Sequence, residues 1–152
     1  LNPPKGLFGI NIGPNKDTKN RVEDYLIGIR KFYDLADYLT INISSPNTEN
    51  LRSFHNENEL NELLDAIKKE KENLKTSIPT VLKISPDIND KEIEKISSLI
   101  LKYSIPSIII SNTSDRTRDI LKNINKLEKG GLSGKPIEQK SNIIINKFFK
   151  HK

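Results

Sequence analysis

The chain has 152 residues, a length suited to one domain, and combines 34% apolar with 30% charged residues. It has no cysteine and only two histidines, His55 and His151, which argues against a disulfide framework, a thiolate-held metal or a histidine metal site. The net charge of +5 comes with lysines and glutamates alternating along helical faces, as in "AIKKEKENLK", and no basic cluster interleaves with aromatics. Nucleic acid is therefore not an expected partner.

No stretch reaches the roughly 18 apolar residues that would span a bilayer. The opening "LNPPKGLFGI" has neither a basic n-region nor a long apolar core, so it does not read as a signal peptide. It also lacks an initiator Met, and the chain is expected to begin inside a longer protein.

In chain order, the first apolar run is Leu7 to Ile12, of strand length. A helix follows, with Val22, Tyr25, Leu26, Ile29 and Tyr33 at helical spacing and Asn20 with Glu23 as a capping box. The second run is Tyr38 to Ile43, and the next helix carries Leu60, Leu63, Leu64 and Ile67. The third run, Thr80 to Ile84, precedes a helix with Ile93, Ile96 and Ile100, opened by the box Asn89 and Glu92. The fourth run is Ile105 to Ile110. Ser114 to Lys129 reads as a loop, and Ile137 to Phe149 as a last helix with Pro136 in its first turn. Runs that are apolar throughout suit parallel strands covered on both faces. The order β-α-β-α-β-α-β-α then implies a parallel sheet with right-handed crossovers. The pattern fits an open doubly wound sheet and an arc of a (β/α)8 barrel equally well, and four units are too few to close a barrel.

Polar residues gather at the carboxyl ends of these runs, where parallel α/β folds bind ligands. They are Asn11, Asn42, Lys83, and Ser111, Asn112 and Thr113 together. One such Asn alone reads more simply as a loop start or helix cap. Lys83 is different, because it lies between Leu82 and Ile84, and burying an unpaired ammonium is costly. A polar or anionic ligand would resolve that cost. "NISSPNT", Asn42 to Thr48, is the most specific motif. Its amides offer donors and acceptors together, which suits a planar ring carrying C=O and N–H groups. "GGLSGKP", Gly130 to Pro136, reads equally as a phosphate-binding loop before a helix or as a flexible connector.

Together these segments resemble the dihydroorotate dehydrogenases. "FGINIGPNKDT", "ADYLTINISSPNTENLR", "VLKISPDI", "IIISNTS" and "EKGGLSGKPI" match that family's motifs in order, over nearly the whole chain. The resemblance implies part of a (β/α)8 TIM barrel, about four β/α units, with residues 1–152 forming a single partial barrel domain. It implies an FMN flavoprotein that oxidises dihydroorotate to orotate in pyrimidine biosynthesis. FMN contacts carry over to Asn11, Asn42, Lys83, Ser111 and Gly134. Substrate contacts carry over to Asn42, Asn47, Asn112 and Thr113, and the catalytic base to Ser45. A serine base resembles the class 2 enzymes, which pass electrons to quinone and sit peripherally on the cell inner membrane, or the mitochondrial inner membrane in eukaryotes. Ser45 would need a hydrogen-bonded relay for its proton, with Thr48 a candidate neighbour.

This sequence departs from the family pattern at Glu49 and Asn50, where Pro-Gly is usual, and at Phe54 and His55, where Leu-Gln is usual. No segment resembles the first two or last two barrel strands, or the amino-terminal helical extension. The parent is therefore expected to be the enzyme and this chain its central fragment, poorly stable and inactive alone. The alternatives are a truncated, non-catalytic α/β protein and another FMN barrel acting on pyrimidines.

Overall fold

The computed structural model describes residues 6–45, 51–74, 77–116 and 118–151. Among these residues four strands alternate with four helices: β1 (Gly9–Ile12), α1 (Arg21–Phe32), β2 (Tyr38–Asn42), α2 (Glu57–Glu72), β3 (Thr80–Ile84), α3 (Asp90–Lys102), β4 (Ile108–Ile110) and α4 (Lys135–Lys150). Short 3-10 turns cover Tyr33–Leu35, Leu51–His55 and Ile124–Leu127.

Local chemistry explains the boundaries. The Asn89 side chain accepts from Glu92 N–H at 3.0 Å, and the Glu92 carboxylate accepts from Asn89 N–H at 2.7 Å, so α3 opens on the expected capping box. At α1 only the first half forms. Asn20 accepts from Glu23 N–H, but the Glu23 carboxylate pairs with Arg30 instead. Helix α4 begins after Gly134, which has φ +75, and carries Pro136 in its first turn. Three strands are shorter than their apolar runs, β2 only by Ile43. Pro106 has no N–H for a ladder, so β4 starts at Ile108 rather than Ile105. Leu7 and Phe8 are exposed and precede β1, with Phe8 N–H taken by the Asp37 carboxylate.

The four strands pair in parallel and their spatial order is β1-β2-β3-β4. A doubly wound sheet reverses its strand order at a switch point. Here each strand lies beside its predecessor, and α1 packs on α2, α2 on α3 and α3 on α4. The helices therefore share one side of the sheet, which is the arrangement of a (β/α)8 barrel arc.

The two faces of the sheet differ sharply. Ile12 points at α1, where a Cβ placed on Gly28 would fall 2.4 Å from its Cγ2. The same outward face carries Ile10, Leu39, Ile41, Leu82 and Ile84, which join the helix stripes in the core. Leu60, Leu63, Leu64, Ile67, Ile93 and Ile96 are buried as their spacing requires. The inward face carries Asn11, Thr40 and Val81 in one row, and Asn42, Lys83 and Ile109 in the next.

Candidate active site

Asn42 is the last residue of β2, and its carbonyl accepts from the Tyr25 hydroxyl of α1 at 2.7 Å. That bond fixes the strand end against the helix layer. Its side-chain Oδ1 collects three donors: Ser44 N–H (3.2 Å), Ser44 Oγ–H (3.0 Å) and the Asn112 amide (3.2 Å). The Asn112 amide also donates to Ser44 Oγ at 3.1 Å, while Asn112 Oδ1 accepts from Thr113 N–H at 2.8 Å. Residues 42 and 112, distant in sequence, thus meet in one hydrogen-bonded cluster. Among the described residues the Asn42 Nδ2 takes no protein partner, so it remains an unspent donor at the strand end.

Lys83 is in register with Asn42 and Ile109 on the inward face. The expectation of a buried ammonium does not hold. Only its backbone lies within the apolar strand, and its side chain is half-buried because alternate residues point to opposite faces. Asn11 lies on the same face one row away, beside Thr40 rather than beside Asn42. Ser111 follows β4 and shares a 3.1 Å hydrogen bond with Ser141 of α4. Gly134 sits at the start of α4, and the loop leading to it is tied to the β4 exit through paired backbone bonds between Ser114 and Leu132. Among the described residues no hydrogen bond joins Gly134 directly to the amide cluster. Ser45 is described and half-buried at the β2 exit, whereas Asn47 and Thr48 lie outside the described residues.

A second cluster, around Asp87, was not singled out by sequence. Its side chain is 2% exposed. It receives Ser114 Oγ–H at 2.7 Å, Asp115 N–H at 3.2 Å, Arg52 at 3.2 Å and Lys140. Burial by itself would raise this carboxyl; contacts from Lys140, Ser114 and Asp115 more than offset it and hold the group at about 2. Asp87 follows Pro86 in the turn after β3, so it read as loop chemistry. Its partners come from three other segments, a convergence that no local spacing encodes.

The model of the dihydroorotate dehydrogenase family matches residues 3–152. The chain belongs to this family. A dihydroorotate dehydrogenase (quinone) from Bartonella tribocorum is 44% identical over 146 residues, covering 93% of this chain and 41% of the relative. One from Wigglesworthia glossinidia brevipalpis is 45% identical over 152 residues, covering 96% and 45% respectively. A crystal structure of a ligand-free dihydroorotate dehydrogenase from Eimeria tenella superposes with a TM-score of 0.90 at 32% identity, covering 95% of this chain and 44% of that one. The chain thus spans less than half the length of these dehydrogenases. The superposition agrees with the sequential strand order: four β/α units of the dihydroorotate dehydrogenase barrel.

Proposed function

We propose that the protein containing this chain is a quinone-linked dihydroorotate dehydrogenase that uses FMN, and that residues 1–152 form part of its single barrel domain. The observation that carries this reading is the joined amide pair Asn42 and Asn112 beside Lys83, at strand ends in a chain of this family. The shared bonds leave the Asn42 Nδ2 as a fixed donor and a lone pair of Asn112 Oδ1 as a fixed acceptor for the planar C=O and N–H half of the dihydroorotate ring. Asn42, Asn112 and Thr113, with Asn47, would hold the substrate.

The residues present fit a flavin. The inward face has a half-buried cation, Lys83, in line with Asn42, and Gly134 has open space where a Cβ would stand. Asn11, Asn42, Lys83 and Ser111 would hold the ring system, and Gly134 at the α4 start would face phosphate. Bound there, FMN would supply the acceptor for the hydride leaving C6 of dihydroorotate. Ser45 would take the C5 proton. Lys83 would place positive charge where negative charge develops on reduction. Quinone as the final acceptor implies peripheral association with a bacterial inner membrane or, in a eukaryote, the mitochondrial one. Among the described residues no helix is long and apolar enough to cross a membrane, so such an association would rest on other contacts.

The experiment is to purify the protein carrying this segment and follow its visible spectrum as dihydroorotate and then a soluble quinone are added. Dihydroorotate should bleach a flavin band, and quinone should restore it. Ser45→Ala should retain flavin and lose about 10²–10⁴-fold in its reduction rate. A colourless protein, or normal bleaching in the mutant, would sink the respective assignment.

A further inference from the structure

We infer that Arg52 and Asp87 form a positioning pair that fixes the Asn112–Thr113 segment for the substrate ring. The inference rests on the proposed dihydroorotate site and adds residues that do not themselves line it.

The argument starts from the Arg52 fork. One arm reaches the Asp115 carboxylate at 2.8 Å. The other meets Asp87 Oδ2 at 3.2 Å and donates to the Thr113 carbonyl at 3.3 Å. A guanidinium is planar and rigid, so holding one arm on Asp115 and the other on the buried Asp87 fixes the direction in which that second arm meets Thr113. Thr113 is therefore gripped at its carbonyl by Arg52. Its N–H is gripped by Asn112 Oδ1, and the Asn112 amide in turn bonds Asn42 and Ser44. The path from Asp87 to the free amide of Asn42 is continuous, through short polar contacts. Displacing Thr113 would swing the Asn112 carboxamide and break its bond to Asn42.

Stability alone does not account for such a network. Desolvation cancels much of the Coulomb gain of a buried ion pair, and apolar packing would serve as well. Direction is what the fork supplies and packing does not. Arg52 also stands in the turn Leu51–His55, the first described residues after the segment that leaves Ser45. The pair thus links the chain that follows the proposed base to the loop that carries the proposed substrate contacts.

Lys140 provides the internal control. It also pairs with Asp87, but among the described residues it makes no hydrogen bond to Thr113. The test compares Arg52→Lys with Lys140→Gln in the protein carrying this segment. Arg52→Lys keeps a cation but replaces the planar fork with a single ammonium, so Asp87, Asp115 and the Thr113 carbonyl can no longer all be held at once. The readouts are flavin content, melting temperature, orotate Kd from the perturbed flavin band, and KM and kcat for dihydroorotate. Arg52→Lys should raise the orotate Kd and the dihydroorotate KM about tenfold, with flavin content unchanged. Lys140→Gln should lower the melting temperature and leave orotate Kd within about twofold. Unchanged orotate affinity in Arg52→Lys, equal weakening in both variants, or flavin loss with Arg52→Lys would overturn the positioning role. A parent protein that binds flavin but neither orotate nor dihydroorotate would instead refute the substrate assignment beneath it.

Discussion

The outward face of the sheet and the strand-end rim are built from opposite materials. Outward, Ile41, Leu82 and Ile84 meet the stripes of α1, α2 and α3, and the strand side chains there other than Thr80 are apolar, most of them buried and Ile10, Ile108 and Ile110 partly so. At the rim, Asn42, Ser44, Asn112, Thr113, Asp87 and Arg52 bond to one another. Apolar packing is non-directional and scales with buried area, so it stabilises without choosing a ligand. Hydrogen bonds between fixed partners add little net stability each, but leaving one unmade is expensive, so they specify. The contrast predicts that the two regions can be damaged separately.

The largest effect belongs to the outward face. Leu82 is 1% exposed. Leu82→Ala should cost about 2–5 kcal/mol, read from urea unfolding, because the neighbouring helices can only partly close the void. Orotate affinity per folded molecule should stay at the parent value. A weakened Kd there would show that packing and rim are coupled rather than separable.

A smaller effect sharpens the contrast from the rim side. A Cβ built on Gly131 would fall 1.8 Å from Thr113 Oγ1. Gly131→Ala should therefore cost about 1–3 kcal/mol as an overpacked contact, and should weaken orotate binding because Thr113 must move. If orotate affinity is untouched, Thr113 is not a substrate contact.

The outward face was legible in the sequence because its signal is periodic and local. The stripes at Leu60, Leu63, Leu64 and Ile67, and the Asn89 box, are both present as spacing implies. β3 has the limits of its apolar run. The elements departed from their pattern where a missing backbone donor or a competing side-chain partner overrode it. Pro106 shortened β4, and Arg30 took the Glu23 carboxylate from the α1 cap. The rim was legible only in part. Asn42 and Asn112 stand at strand ends and do meet, and Lys83 lies in register with Asn42, though less enclosed than its neighbours Leu82 and Ile84 suggested. Asp87, Arg52 and Lys140 carried no signal, since a carboxylate in a turn looks solvated until residues from other loops close over it. The same holds for Phe54 and His55. Their departure from the usual Leu-Gln places a buried Phe54 edge-on to the Tyr25 ring at 5.8 Å and a buried imidazole beside it.

That imidazole gives the smallest effect, one that pH can isolate. His55 is 4% exposed, and its Nε2 has no partner among the described residues. Burial first, and then the charge of Arg52, lower its pKa to about 4, with Asp87 opposing weakly. The unfolded chain takes up this proton near its ordinary value of 6.5, and the folded one only near 4. Between these values the unfolded state binds more protons, so stability falls as pH drops through the window and levels off below it. From about pH 7 to pH 5.5 the loss from this group is about 1 kcal/mol. Asp87 behaves in the same direction but lower down. Its contribution is present above about pH 4 and disappears as pH falls through about 2, so the two groups do not overlap. Urea unfolding at both pH values, on the parent and on His55→Gln, separates them. The variant should lose the slope between about pH 7 and 5.5 while keeping the acid transition below pH 4. A slope that survives the substitution would assign the acid sensitivity to another group, and would leave His55 as a neutral filler of the turn.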